Sequence, residues 1–139
     1  MPSFERGILV TTAALLLLAC QSDKPEAQAK KALSAAVAAV EAGDVEGAME
    51  VLHPDFQGSL EGESGLTKPQ ARLLLMAILR QGKVGLTLLR VDARLEGADV
   101  LQEIDALASQ GGERTRRHWL FTWAKKGGTY KLRRIQELQ

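Results

Sequence analysis

One cysteine, two histidines and a near-zero net charge are the first limits this sequence sets. With Cys20 alone, no internal disulfide forms, and a metal would have to take other ligands. His53 and His118 lie too far apart for a recognisable metal spacing, so neither a metal nor a cofactor is expected. A formal net charge of +1 gives the whole chain no pull toward nucleic acid. There is no glycine-rich phosphate loop and no nucleophile elbow. Internal repeats and low-complexity runs are missing too. The apolar stretch Ile8 to Ala19 runs for about a dozen residues, whereas a spanning helix needs ~20.

What is there is one domain's worth of chain. Of the 139 residues, 45% are hydrophobic and 25% charged, enough to bury a modest core. The apolar stretch has the length of a secretory signal's central region and follows Arg6 and the amino terminus. It ends in Leu17-Leu18-Ala19-Cys20, and polar residues Gln21-Ser22-Asp23-Lys24 follow at once. That junction resembles the lipobox of bacterial lipoproteins, with Leu18 bulkier than the commonest residue at its place. The resemblance implies a signal peptide over residues 1–19, cleavage before Cys20, diacylglycerol on its thiol, and a further acyl chain such as palmitate on the new amino group. Two or more chains hold a protein stably at a bilayer, where one holds it only marginally. Gln21 after the cysteine, by resemblance to enterobacterial sorting, implies the periplasmic side of the outer membrane. Residues 20–25 then form a short tether. From Gln21 to Pro25 it spans about 15–20 Å when extended, so the domain over residues 26–139 is expected close to the headgroups.

Glu26 to Ala42 reads as a helix with Leu33, Val37 and Val40 on one face. Gly43 is placed to end it and Asp44 to cap a second helix carrying Val45, Ala48, Met49 and Leu52. His53-Pro54 stops that helix, and Phe56 to Leu60 suits a short strand. Thr67-Lys68-Pro69-Gln70 matches a capping box, with Leu66 and Ala71 as a hydrophobic staple. The third helix it opens, Leu73 to Leu79, is apolar nearly all round, which predicts burial on most sides or a partner.

After Gly82 the period becomes two. Val84, Leu86 and Leu88 alternate, then Val91, Ala93 and Leu95 alternate in the opposite phase, which predicts a bulge near Leu89-Arg90. Val100 to Ser109 places Ile104, Ala106 and Ala108 on one face, and Glu103 and Asp105 on the other. Thr115 to Trp123 sets Trp119, Phe121 and Trp123 against Arg116 and His118. Lys125-Lys126-Gly127-Gly128 suits a hairpin turn before Tyr130 and Leu132. Three helices toward the amino end and an antiparallel meander make the fold class α+β.

Three segments carry a resemblance to the nuclear transport factor 2-like (NTF2-like, SnoaL-like) cone folds. They are Ala42-Gly43-Asp44-Val45 through Leu52-His53-Pro54-Asp55-Phe56, the long bent strand after the third helix, and Trp119-Leu120-Phe121-Thr122-Trp123 with Tyr130-Lys131-Leu132. The resemblance implies a curved sheet wrapped around the third helix to form a cone with a pocket, and a homodimer through the sheet. The superfamily holds isomerases, dehydratases, cyclases and many members without catalysis, so the fold leaves function open.

No ketosteroid-isomerase set maps onto the chain, which has a single tyrosine, Tyr130. His53 and Asp55 are the remaining acid–base pair, read either as base and orienter or as shapers of the turn. The inward candidates for a pocket are Gln102, Ile104, Arg117, Trp119, Phe121, Trp123 and Tyr130. They either line an apolar site, with Arg117 at its mouth to hold a carboxylate or phosphate, or form the core. Residues 111–139 carry eight Lys or Arg against two acids, net +6, and the rest of the chain net −5. That asymmetry gives either a basic surface or cross-strand pairing of Arg116, Lys131 and Arg133 with Asp99, Glu103 and Asp105. The expectation is a lipid-anchored, non-catalytic module for a small apolar or anionic ligand or a protein. The alternative is a small isomerase or dehydratase using the cone pocket.

Overall fold

The computed structural model describes residues 24–138. The signal, Cys20 and most of the tether lie outside the described residues. Helix α1 spans Pro25–Glu41, α2 Val45–Val51 and α3 Lys68–Arg80. The strands are β1 Leu52–Leu60, β2 Glu63–Thr67, β3 Val84–Glu96, β4 Asp99–Gln110, β5 Glu113–Lys126 and β6 Thr129–Glu137. They form one sheet in the order β2-β1-β6-β5-β4-β3. Every pair is antiparallel except β1 with β6, which run parallel. The sheet is therefore mixed, because β6 enters beside β1 rather than at an edge.

The helix ends follow their local chemistry. Pro25 opens α1, where its missing N–H costs nothing. At the other end Asp44 donates its N–H to the Ala39 carbonyl at 2.8 Å, and Gly43 to Val40 at 3.1 Å. This Schellman closure needs the left-handed Gly43, φ 72°. The Asp44 carboxylate then accepts from Gly47 N–H at 3.0 Å and caps α2. In the capping box of α3, Gln70 accepts the Thr67 N–H at 2.9 Å, and Leu66 and Ala71 are both buried.

The third helix departs from expectation. Only Ala71 of α3 is buried, and Leu73 is 64% exposed. It packs at the end of the sheet against β1, β2 and α2, held by Lys68 Nζ to the Leu52 carbonyl at 3.2 Å and Arg72 to Glu46 at 3.0 Å. The helix that lies over the sheet is α1, against β3, β4 and β6, through Ala29 and Leu33. An all-round apolar run carries no phase, so sequence alone cannot say which of its faces is covered.

The strand phases do hold. The β3–β4 register shifts between Leu88 and Arg90, so Leu88 faces Ala106 and Val91 faces Ile104 across one bulge. Val100, Gln102, Ile104 and Ala106 alternate as the buried face of β4. Across from them on β5 stand Trp123, Phe121, Trp119 and Arg117. Trp123 has no exposed surface, and its indole N–H donates to Gln102 Oε1 at 2.9 Å. On β1 the Phe56 ring lies over Gly58, where a Cβ would stand 2.7 Å from the ring. Charges occupy the opposite face. Arg116 Nε bonds Asp105 at 3.0 Å, Arg133 bonds Asp99 at 2.8 Å, and His118 meets Glu103 at 2.8 Å. Lys131 does not join them. Its ammonium reaches the Glu50 carbonyl at 2.6 Å, across the seam between the sheet and α2.

A double-mutant cycle tests the buried hydrogen bond. Gln102→Leu and Trp123→Phe are expected to cost less together than the sum of the single changes, with a coupling of about 1–3 kcal/mol, since each alone orphans the other's polar group. Urea denaturation reads this, and additive costs would remove the bond from the account of the core. The outer face makes a prediction about pH. The hydrogen bond from Arg116 holds the Asp105 carboxyl below the usual carboxylate range. Its folded value lies below its unfolded one, so the pair's stabilisation is present above about pH 4 and is lost as pH falls through the lowered value. The melting-temperature gap between wild type and Arg116→Gln should be widest near neutral pH and close in acid. The gap stays small, because both groups face solvent.

Candidate functional site

The inner face is buried. Gln102, Ile104 and Trp123 have no exposed surface, and Phe121 and Tyr130 are also buried. The three aromatics of β5 stack along the strand, with centroids 6.0 Å apart for Trp119–Phe121 and 6.2 Å for Phe121–Trp123. Tyr130 lies beneath the Lys125 ammonium, 5.6 Å from its ring centroid. The stripe joins Ala29 and Leu33 of α1 in one core cluster. Gln102 Nε2 and Trp119 Nε1 are buried among these groups without partners among the described residues.

Arg117 is half-buried on the same face, but its guanidinium is already engaged. It lies 3.1 Å from Glu61 and 3.8 Å from Glu137. Glu137 also accepts the Glu61 N–H at 3.1 Å, holding the left-handed Glu61, φ 53°, at the tip of the β1–β2 hairpin. Two carboxylates against one guanidinium leave this mouth acidic, a poor setting for an anionic ligand.

His53 and Asp55 do not converge on the interior. The buried His53 ring accepts the Asp55 N–H at Nδ1, 3.0 Å away, a local contact within the first residues of β1 rather than in the turn the sequence suggests. The Asp55 carboxylate is 86% exposed and lies 4.0 Å from that ring nitrogen. Tyr130 sits on another strand, under its lysine. Among the described residues, no three His, Cys, Asp or Glu side chains are grouped to hold a metal ion. No described helix is long and apolar enough to cross a membrane.

A concavity lies instead on the outer face of the sheet, with a volume of about 360 Å³. Leu101, Leu120 and Thr122 floor it, from β4 and β5. Arg134, Gln136 and Arg133 enter from β6, and Asp55 and Gln57 from β1. Glu96 and Asp99 close the far rim at the β3–β4 turn. The register explains the assembly. Gln57, Arg134, Thr122 and Leu101 are successive partners across four strands, so their side chains form one row. A bulge in β6 supplies Arg133 as an extra residue between the inward Leu132 and the outward Arg134. Arg133 is taken by Asp99. Among the described residues, Arg134, Glu96, Thr122, Gln57 and Gln136 have no side-chain partner for their polar ends. Sequence alternation does put Thr122 and Leu101 on this face. It holds no cross-strand register, so the row itself was not foreseeable.

The chain matches no protein-family model and no curated protein. Solved structures do resemble it. An NTF2-like protein of unknown function from Pseudomonas putida is 12% identical with a TM-score of 0.72, covering 81% of this chain and 84% of its own. A protein of unknown function with a cystatin-like fold from Nostoc punctiforme is 12% identical with a TM-score of 0.69, covering 79% and 86%. A candidate ketosteroid isomerase from Shewanella frigidimarina is 14% identical with a TM-score of 0.65, covering 80% and 94%. Likeness at such identities concerns the backbone alone. The described domain has the NTF2-like, cystatin-like cone fold, of α+β class.

Proposed function

We propose that this protein is a lipid-anchored lipoprotein of the bacterial envelope whose cone-fold domain binds a small ligand without transforming it. The observation that carries the binding role is the outer groove, where a floor of Leu101, Leu120 and Thr122 meets polar side chains that have no partner among the described residues. Eight of the ten lining residues are polar or charged, which suits a polar ligand, and about 360 Å³ lies within the usual range of small-molecule sites. The inner face, where the enzyme alternative would operate, is packed with its own aromatics. The acid–base candidates do not meet there: Asp55 points to solvent, the His53 ring holds the Asp55 N–H within β1 and Tyr130 lies under Lys125. The anchor rests on Leu17-Leu18-Ala19-Cys20 and the short tether that follows. The groove is also the face through which a second copy of the chain would pair, so dimerisation and ligand binding compete there.

Two measurements test this. In a Gram-negative host, the wild-type chain is expected in the outer-membrane fraction with labelled palmitate incorporated, and Cys20→Ser is expected to lose both. A Cys20→Ser chain that keeps its label and its fraction would end the lipoprotein reading. For the groove, a small-molecule screen by nuclear magnetic resonance should shift the amides of Leu101, Leu120 and Thr122, and Leu120→Glu should abolish the shifts. Hits that shift only inner-face residues would move the site back into the cone.

A further inference from the structure

The groove's unpaired charges are of both signs, and they stand at opposite ends. Arg134 is on β6, beside β1. Glu96 is at the β3–β4 turn, on the far side of β5 and β4. Asp99 lies between them but is occupied by Arg133 at 2.8 Å. Asp55 is on the rim near Arg134, turned to solvent beside His53. Arg134 at one end and Glu96 at the other therefore remain to meet a ligand across the floor of Thr122, Leu101 and Leu120, with the Asp55 carboxylate exposed on the near rim.

We infer that the groove takes a short zwitterionic peptide of about three residues, with its free carboxylate on Arg134 and its free ammonium near Glu96. This rests on the groove being the binding site. The length follows from sheet geometry. Neighbouring strands lie about 4.7–4.9 Å apart and residues about 3.3 Å apart along a strand, so Arg134 on β6 and Glu96 on β3, three strands over and two residues beyond the row, stand roughly 16 Å apart at their Cα atoms. An extended tripeptide covers about 10 Å, at roughly 3.3–3.6 Å per residue, and the long Arg134 and Glu96 side chains, both lining the groove, span the rest from either end. The groups between suit a peptide's interior. The Thr122 hydroxyl and the Gln57 and Gln136 amides both donate and accept, as a chain of peptide units requires. Leu101 and Leu120 offer apolar surface to small side chains. A dianionic ligand is disfavoured, because Asp55, Glu96 and Asp99 outnumber Arg133 and Arg134. A guanidinium and a carboxylate facing a ligand's two ends also fix its direction, since reversal sets like charges together.

The test is isothermal titration of the full chain, purified from whichever fraction carries it, with trialanine, N-acetyl-trialanine and trialanine amide. Trialanine should bind, and blocking either end should weaken it by about tenfold or more, as expected for loss of one charge-assisted contact. In Arg134→Gln the free peptide and its amide should bind alike, while acetylation still weakens binding. In Glu96→Gln the acetylated and free peptides should bind alike, while amidation still weakens binding. Both substitutions are of exposed side chains, and an unchanged melting temperature confirms the fold. If all three peptides bind the wild type within about twofold of one another, the zwitterion inference fails and the groove stands as a binding site. Failure of every peptide to bind also overturns the inference. If the chain then proves to be a dimer that Leu120→Glu dissociates, the groove belongs to a second copy and the ligand reading falls with it.

Discussion

Trp123 governs how this sheet divides into two faces. Its indole is fully buried and its N–H is held by Gln102 on the neighbouring strand. Its donor-only N–H needs an acceptor once buried, and among the described residues that acceptor is the Gln102 oxygen. Once Trp123 points inward, the two-residue period sends Thr122 outward, and the β5 register assigns Arg134 and Leu101 to the same outer row. The bond also fixes the Gln102 amide. Its oxygen must face the indole, so its NH₂ points away and is left without a partner. The orphan donor is thus a by-product of seating the largest side chain of the core.

Much of the fold was legible because its signals are local. Gly43 and Asp44 both end one helix and begin the next, and no distant residue is needed to see it. The bulge at Leu89 shows as a change of phase within a single strand. What stayed hidden depends on partners far along the chain. No residue of β1 announces that it will pair in parallel with β6, some eighty positions later. The apolar run of α3 hides its packing face, and α1, with a thinner apolar stripe of Leu33, Val37 and Val40, covers the sheet instead.

The candidate site shows the same division. Alternation put the pocket candidates on the inner face, and they are there. Alternation does not say whether an inner face is hollow or filled, which depends on side-chain volumes meeting across α1 and the sheet. Arg117 illustrates the limit. Its face was foreseeable, but its two carboxylate partners come from the β1–β2 tip and the end of β6. The groove is a surface of the assembled sheet, written in four strands at once.

The place of β6 has a consequence for the order in which this molecule acquires structure. It is made after every other strand, yet it lies in the interior of the sheet, between β1 and β5. One side of it holds the β1–β2 hairpin, and the other the three-stranded meander of β3, β4 and β5. Closing the long loop between β1 and β6 is slow and is rewarded only when both are present. A ribosome that stalls before Thr129 would release two half-sheets with raw edges facing each other and no strand to join them.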